Sequence, residues 1–134
     1  VTTPHLVRPP RLAAIFADII EPVPEPTYRG ITMRSALETD FARHLDEEGI
    51  AWRYEPCRIA GYLPDFEVLG ADVPTYIEVK PVLAEVPRAQ ERMAAIWRTH
   101  PSALLIVACA EGSRYFGAIA GGRWTSWAER WVHT

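Results

Sequence analysis

Of the 14 basic residues in this chain, 13 are arginine, and Lys80 is the only lysine. A lysine amine can be moved in pKa and give up its proton, which a guanidinium practically never does. Lys80 closes the apolar run Thr75 to Lys80, with Glu78 two positions before it. In a strand, residues two apart share a face. Glu78 and Lys80 therefore point one way, while Ile77 and Val79 point the other way, into a core. In the preceding run Asp65 and Glu67 share a face, and Phe66 and Val68 take the buried one. If the two runs pair antiparallel through the Gly70 to Pro74 turn, Asp65 and Glu78 stand side by side. Adjacent carboxylates repel one another unless a cation or a proton lies between them. Hard oxygen ligands of this kind suit Mg²⁺ or Mn²⁺. A lysine beside them can orient or deprotonate an attacking water, or offset charge on a phosphate. The plainer alternative is a solvent-facing Glu–Lys cross-strand pair with Asp65 at a turn.

These side chains need elements to hold them. Thr32 or Ser35 can cap a helix whose apolar positions Leu37, Phe41, Ala42 and Leu45 recur at helical spacing, and Gly49 ends it. Ile50 to Glu55 alternates as a strand ended by Pro56, Gly61 to Leu69 forms a second, and Thr75 to Lys80 a third closed by Pro81. Residues 84 to 99 form an amphipathic helix with Met93, Ile96 and Trp97 on its apolar side. Ala103 to Cys109 is a continuous apolar run, the pattern of a strand buried on both faces. Tyr115 to Ile119 is expected as an edge strand, and Trp124, Trp127 and Trp131 as a short closing helix. The fold class is then α/β, a mixed sheet flanked by helices in the order α-β-β-β-α-β-β. Residues 1–27, bracketed by prolines, form a separate N-terminal arm, and residues 28–134 form the domain.

The stretch Pro64, Asp65, Phe66 followed by Glu78, Val79, Lys80 on a hydrophobic strand resembles the motif of the PD-(D/E)xK nuclease superfamily. Glu38, in the run Arg34 to Glu38 on the first helix, is similar to the additional acidic position of many members. The likeness spans roughly residues 34–109. It extends to phage and prophage nucleases, to the endonuclease subunit of heteromeric transposases and to archaeal Holliday-junction resolvases. It implies a restriction-endonuclease-like core and a Mg²⁺- or Mn²⁺-dependent deoxyribonuclease. Asp65 and Glu78 would be metal ligands, the Val79 carbonyl a third, and Glu38 would bind through water or hold a second ion. Lys80 would be the catalytic lysine. Gln90, on the second helix, resembles the glutamine of exonuclease-like members, although Ala94 stands where their tyrosine is expected. Arg29, Arg34, Arg53 and Arg58, together with Arg88 and Arg92, are candidates for phosphate contacts.

The 134-residue length suits one domain, and 49% hydrophobic with 23% charged residues is an ordinary globular balance that excludes a disordered chain. A net charge of −3 argues against a protein that coats nucleic acid by charge alone. No apolar stretch is long enough to span a bilayer, and no leader opens the chain, so a membrane partner is not expected. Cys57 and Cys109 form no CxxC pair and are expected as buried free thiols in a reducing cytoplasm, that of a bacterium or a phage-infected host cell. The expected partner is DNA, with the N-terminal arm available for a second copy or a partner protein. Two rivals stand beside the enzyme: a catalytically silent DNA-binding or protein-interaction module, and a nuclease subunit active only within a recombination or transposition assembly. A dimeric junction resolvase is a third.

Overall fold

The computed structural model describes residues 26–127. The first 25 residues, which make up nearly all of the expected arm, and Trp131 lie outside them. The described chain opens with a hairpin, β1 (Thr27–Tyr28) and β2 (Ile31–Thr32). Its two-residue turn has positive φ at both Arg29 (53°) and Gly30 (79°), the pattern that matches the twist of paired strands.

Helix α1 (Ala36–Glu47) follows, and it is Ser35 that caps it, its hydroxyl accepting the Glu38 N–H. Gly49, with φ of 74°, turns the chain out of the helix into β3. Strands β3 (Trp52–Tyr54), β4 (Phe66–Val68) and β5 (Thr75–Lys80) form an antiparallel meander. The second strand is much shorter than the pattern predicts, because residues 61–65 belong to a loop. Within it Ile59 and Tyr62 exchange backbone hydrogen bonds, and Pro64 has no N–H to give a ladder.

The second helical segment is composite. A 3₁₀ turn (Leu83–Glu85), helix α2 (Val86–Met93) and another 3₁₀ turn (Ala94–Arg98) carry the chain across to β6 (Leu104–Cys109). Strand β6 lies parallel to β5, pairing Thr75 with Leu104 and Lys80 with Cys109. Strand β7 (Arg114–Ile119) is not an edge, since β8 (Thr125–Trp127) pairs beyond it. The tryptophan spacing that suggests a closing helix therefore belongs to a strand and its approach. Trp124 packs on Trp97 with ring centroids 6.2 Å apart. The six strands run in the order β3-β4-β5-β6-β7-β8, a mixed sheet with one parallel pair.

The sheet separates two cores. Phe41, Ala42 and Leu45 of α1 pack with Phe66, Ile77, Val79, Ile106 and Ala108. On the other face Val86, Ala89 and Met93 of α2 pack with Tyr62, Tyr76, Leu105 and Val107. The central strands are thus covered on both sides, which explains the unbroken apolar run of β6. Cys109 is buried among them as expected, but Cys57 is exposed in the loop after β3. No helix among the described residues is long and apolar enough to cross a membrane.

Two tertiary anchors hold the left-hand end of the sheet. Phe66 is fully buried, with the rings of Phe41, Trp52 and Tyr54 each 5.5–5.6 Å from it. Asp46, near the end of α1, accepts from the Tyr28 hydroxyl (2.6 Å), Arg29 Nη1 (2.9 Å) and Trp52 Nε1 (2.8 Å). The Tyr28 hydrogen bond, with help from Trp52 and Arg29, holds the Asp46 carboxyl below its ordinary range. Replacing Phe66 by alanine is expected to cost about 3–5 kcal/mol, because no neighbouring side chain can collapse into a space bounded by three other rings. Urea denaturation would measure it, and a loss under about 1 kcal/mol would contradict this packing.

Candidate functional site

The β4–β5 register pairs Phe66 with Ile77, so the next position along sets Asp65 opposite Glu78. Asp65 has left the strand, but its main chain is still tied, its carbonyl accepting the Glu55 N–H at 2.8 Å. Its side chain turns back on β5, where Oδ2 accepts the Val79 N–H at 2.8 Å. The carboxylate thus takes the hydrogen bond of a main-chain group just past the end of the β4 ladder. Asp65 is 8% exposed and Glu78 9%, so both acids are withdrawn from water.

Glu78 projects from β5 onto the face that α2 covers. Its Oε1 accepts from the Tyr62 hydroxyl, and its Oε2 lies 3.3 Å from Lys80 Nζ. Glu38 arrives from the first turn of α1. The Ser35 cap and a glutamate three residues later are the sequence pattern of a capping box, but the Glu38 side chain is engaged elsewhere. Its Oε1 instead accepts from the Arg34 N–H and from the Tyr54 hydroxyl, both at 2.9 Å. Each of the three buried acids therefore accepts a hydrogen bond at an identified oxygen, Asp65 from the Val79 N–H, Glu78 from the Tyr62 hydroxyl and Glu38 from Arg34 and Tyr54.

Burial, first, and the facing Glu78 charge, second, push the Asp65 carboxyl up to about 8, with Glu38 adding to the rise against the Val79 N–H. Burial likewise raises Glu78, opposed by the Tyr62 hydrogen bond and by Lys80. Burial and the adjoining carboxylates also push the Tyr62 and Tyr54 hydroxyls far above the usual phenol range, so both remain donors.

The acids open into a cleft of about 560 Å³ at the carboxyl end of β5. Glu38, Asp65, Glu78, Val79 and Lys80 all line it, so the five residues singled out from the motif meet at one place. Arg34 and Arg58 also line it, as do Arg88 and Arg92 of α2. Arg34 is paired with Glu55, another residue of the lining. Three of the expected residues lie elsewhere, among them Arg29, which pairs with Asp46 at 2.9 Å. Arg53, in the middle of β3, pairs with Glu67 at 3.5 Å and lines a separate hollow with Trp52. Gln90 sits half-buried on α2, between the positions of that helix that reach the cleft.

Tyr62 and Tyr54 are the site residues that the sequence does not announce. Tyr62 stands three positions before Asp65, but only the turn through Ala60 and Gly61, both with positive φ, brings its hydroxyl to Glu78. Tyr54 reads as an ordinary alternating strand residue, and its contact with Glu38 depends on how α1 lies over β3.

Among the described residues, no three His, Cys, Asp or Glu side chains form a ready-made metal cage. The donor set nonetheless fits a hard divalent ion of the Mg²⁺ type. Such an ion keeps several waters and takes one or two carboxylates rather than a full protein shell. Asp65 and Glu78 are desolvated and set opposite one another, with one ammonium, that of Lys80, against Glu78; a divalent cation would supply the further positive charge that lets both ionise. Compared with protein-family models, curated proteins and solved structures, the chain matches none.

The raised acids carry a stability consequence. Because the folded pKa of Asp65 lies above its unfolded value, the stabilisation its carboxyl provides is full below about pH 4 and is lost as pH rises through about 8, and the raised Glu78 acts in the same direction. Without divalent ions, Asp65→Asn is therefore expected to melt higher than the parent at pH 8.5, by roughly 5 °C, with the difference shrinking at pH 5. Thermal melts in EDTA at the two pH values test this, and an Asn variant less stable than the parent at pH 8.5 contradicts the electrostatics.

Proposed function

We propose that this chain is a divalent-metal-dependent nuclease that hydrolyses DNA phosphodiester bonds, built on a restriction-endonuclease-like core. The observation that carries the proposal is the meeting of Asp65, Glu78 and Lys80 in one cleft, with two buried acids set opposite one another by the β4–β5 register and the Lys80 ammonium against Glu78. A structural ion pair needs only one acid for one lysine. Here a second acid is buried against the first at an electrostatic cost, which is the kind of local penalty functional sites retain.

In this reading Asp65 and Glu78 hold a Mg²⁺ or Mn²⁺ ion, with the Val79 carbonyl as a third ligand and Glu38 reaching it through water. The ion would polarise the scissile phosphate and lower the pKa of a bound water. Lys80, tethered by Glu78 with its Nζ at 3.3 Å, directs positive charge at the phosphate and at the water that attacks it. The Val79 N–H fixes the Asp65 carboxylate, and Tyr54 with the Arg34 N–H fixes Glu38. Arg34, Arg58, Arg88 and Arg92, which line the same cleft, offer phosphate contacts. Arg53 is not assigned a part.

One feature favours activity within a larger assembly. Glu55 and Glu85 add to the three buried acids in the cleft lining, so its acidic residues balance its five basic ones. With a chain net charge of −3, electrostatic affinity for DNA is small, and a partner that delivers the substrate would compensate.

Supercoiled plasmid, linear duplex, single-stranded and four-way-junction DNA, each with Mg²⁺, Mn²⁺ or EDTA, provide the test. Cleavage is expected only with the ions. Asp65→Ala should lower the rate at least about 10³-fold and Lys80→Ala about 10²–10³-fold, while Arg53→Ala leaves it near the parent. Cleavage in EDTA, or undiminished cleavage by Asp65→Ala, overturns the proposal. Metal binding without cleavage, lost in Asp65→Ala, would point to the assembly-dependent form.

A further inference from the structure

Tyr62 is more firmly placed than a loop residue needs to be. Its N–H and C=O both pair with Ile59, at 2.9 and 2.7 Å, its ring is buried with Val86 and Ala89 of α2, and the Arg92 guanidinium lies 5.9 Å above that ring. All of this rigidity ends in one polar contact, the hydroxyl on Glu78 Oε1. The Glu78 carboxylate has a competing partner in Lys80, whose Nζ lies 3.3 Å from Oε2. Without the tyrosine hydroxyl on Oε1, the carboxylate would be free to rotate so that both oxygens engage the ammonium.

We propose that Tyr62 is a positioning residue that occupies one oxygen of Glu78 and so leaves the other directed between Lys80 and the cleft, in the orientation a divalent ion requires. The inference rests on the metal-dependent reading of the site. Partners that orient a liganding carboxylate typically contribute about 10–100-fold to metal affinity. Glu38 provides an internal comparison: its Oε1 is held by two donors, the Tyr54 hydroxyl and the Arg34 N–H, so removal of Tyr54 leaves one in place.

The test is direct Mn²⁺ binding to the full chain by calorimetry, for the parent, Tyr62→Phe and Tyr54→Phe, each checked by thermal melting. Both substitutions keep the ring and remove only the hydroxyl. Tyr62→Phe is expected to weaken Mn²⁺ binding about 10-fold or more, and Tyr54→Phe by less. In a cleavage assay the Mn²⁺ needed for half-maximal rate should rise by the same factor, with the rate at saturating Mn²⁺ within a few-fold of the parent. A Tyr62→Phe protein that binds Mn²⁺ as the parent does, whatever its melting temperature or rate, overturns the inference and leaves the nuclease reading intact. A shift for Tyr54→Phe as large as that for Tyr62→Phe also overturns it. A parent that binds no Mn²⁺ removes the metal-dependent reading and this inference together.

Discussion

The hydrogen bond from the Val79 N–H to Asp65 Oδ2 is the constraint on which the site depends. It reaches past the end of an antiparallel ladder and captures a side chain where main-chain pairing has run out. Had Asp65 turned outward, its carboxylate would be solvated and indifferent to Glu78. Held inward, it faces a second acid at close range in a region of low exposure. The bond is itself supported from the opposite face of the sheet. Phe66, the next residue, is locked among Phe41, Trp52 and Tyr54, so its neighbour has little freedom to follow any other path. A carboxylate held at electrostatic cost is thus anchored by an aromatic cluster on the other side of its own backbone.

The arrangement also explains why both faces of the sheet must be covered. Burial is what raises the acids, and α2 supplies it on their face, while α1 completes the hydrophobic layer beneath. The parallel β5–β6 pair obliges the chain to cross between the ends of the sheet, and that crossing is α2 with its 3₁₀ turns. The helix that buries the acids is therefore the same segment that brings Arg88 and Arg92 to the cleft rim.

Much of this was legible in the residues. Period-two alternation in Thr75–Lys80 places Glu78 and Lys80 on one face, and the Gly70–Pro74 turn implies the register that sets Asp65 opposite Glu78. The Ser35 cap locates Glu38 in the first turn of α1. What escaped was set by contacts between elements. Arg53 has the same local character as Arg34, but β3 turns it toward Glu67 and away from the acids. The expected edge strand acquired a neighbour because Thr125–Trp127 is extended, which an aromatic residue every three or four positions does not signal. The β1–β2 hairpin turns on Arg29 and Gly30, and only one of these two carries a recognisable turn signature. The likeness to PD-(D/E)xK nucleases is one of motif, and the proposal of a nuclease rests on the chemistry of the cleft.

Lys80 is the sole side-chain amine in this sequence, and it is half-buried with its ammonium against Glu78. Amine-directed acylation of the chain therefore has one side-chain target, and that target lies in the cleft. Modified lysine would report directly on the local environment of the acids, with none of the background that a lysine-rich surface imposes. Pro81 follows immediately, so lysine-specific proteolysis finds no favourable bond to cut even there. The arginine-dominated composition thus makes the site chemically addressable by a single functional group.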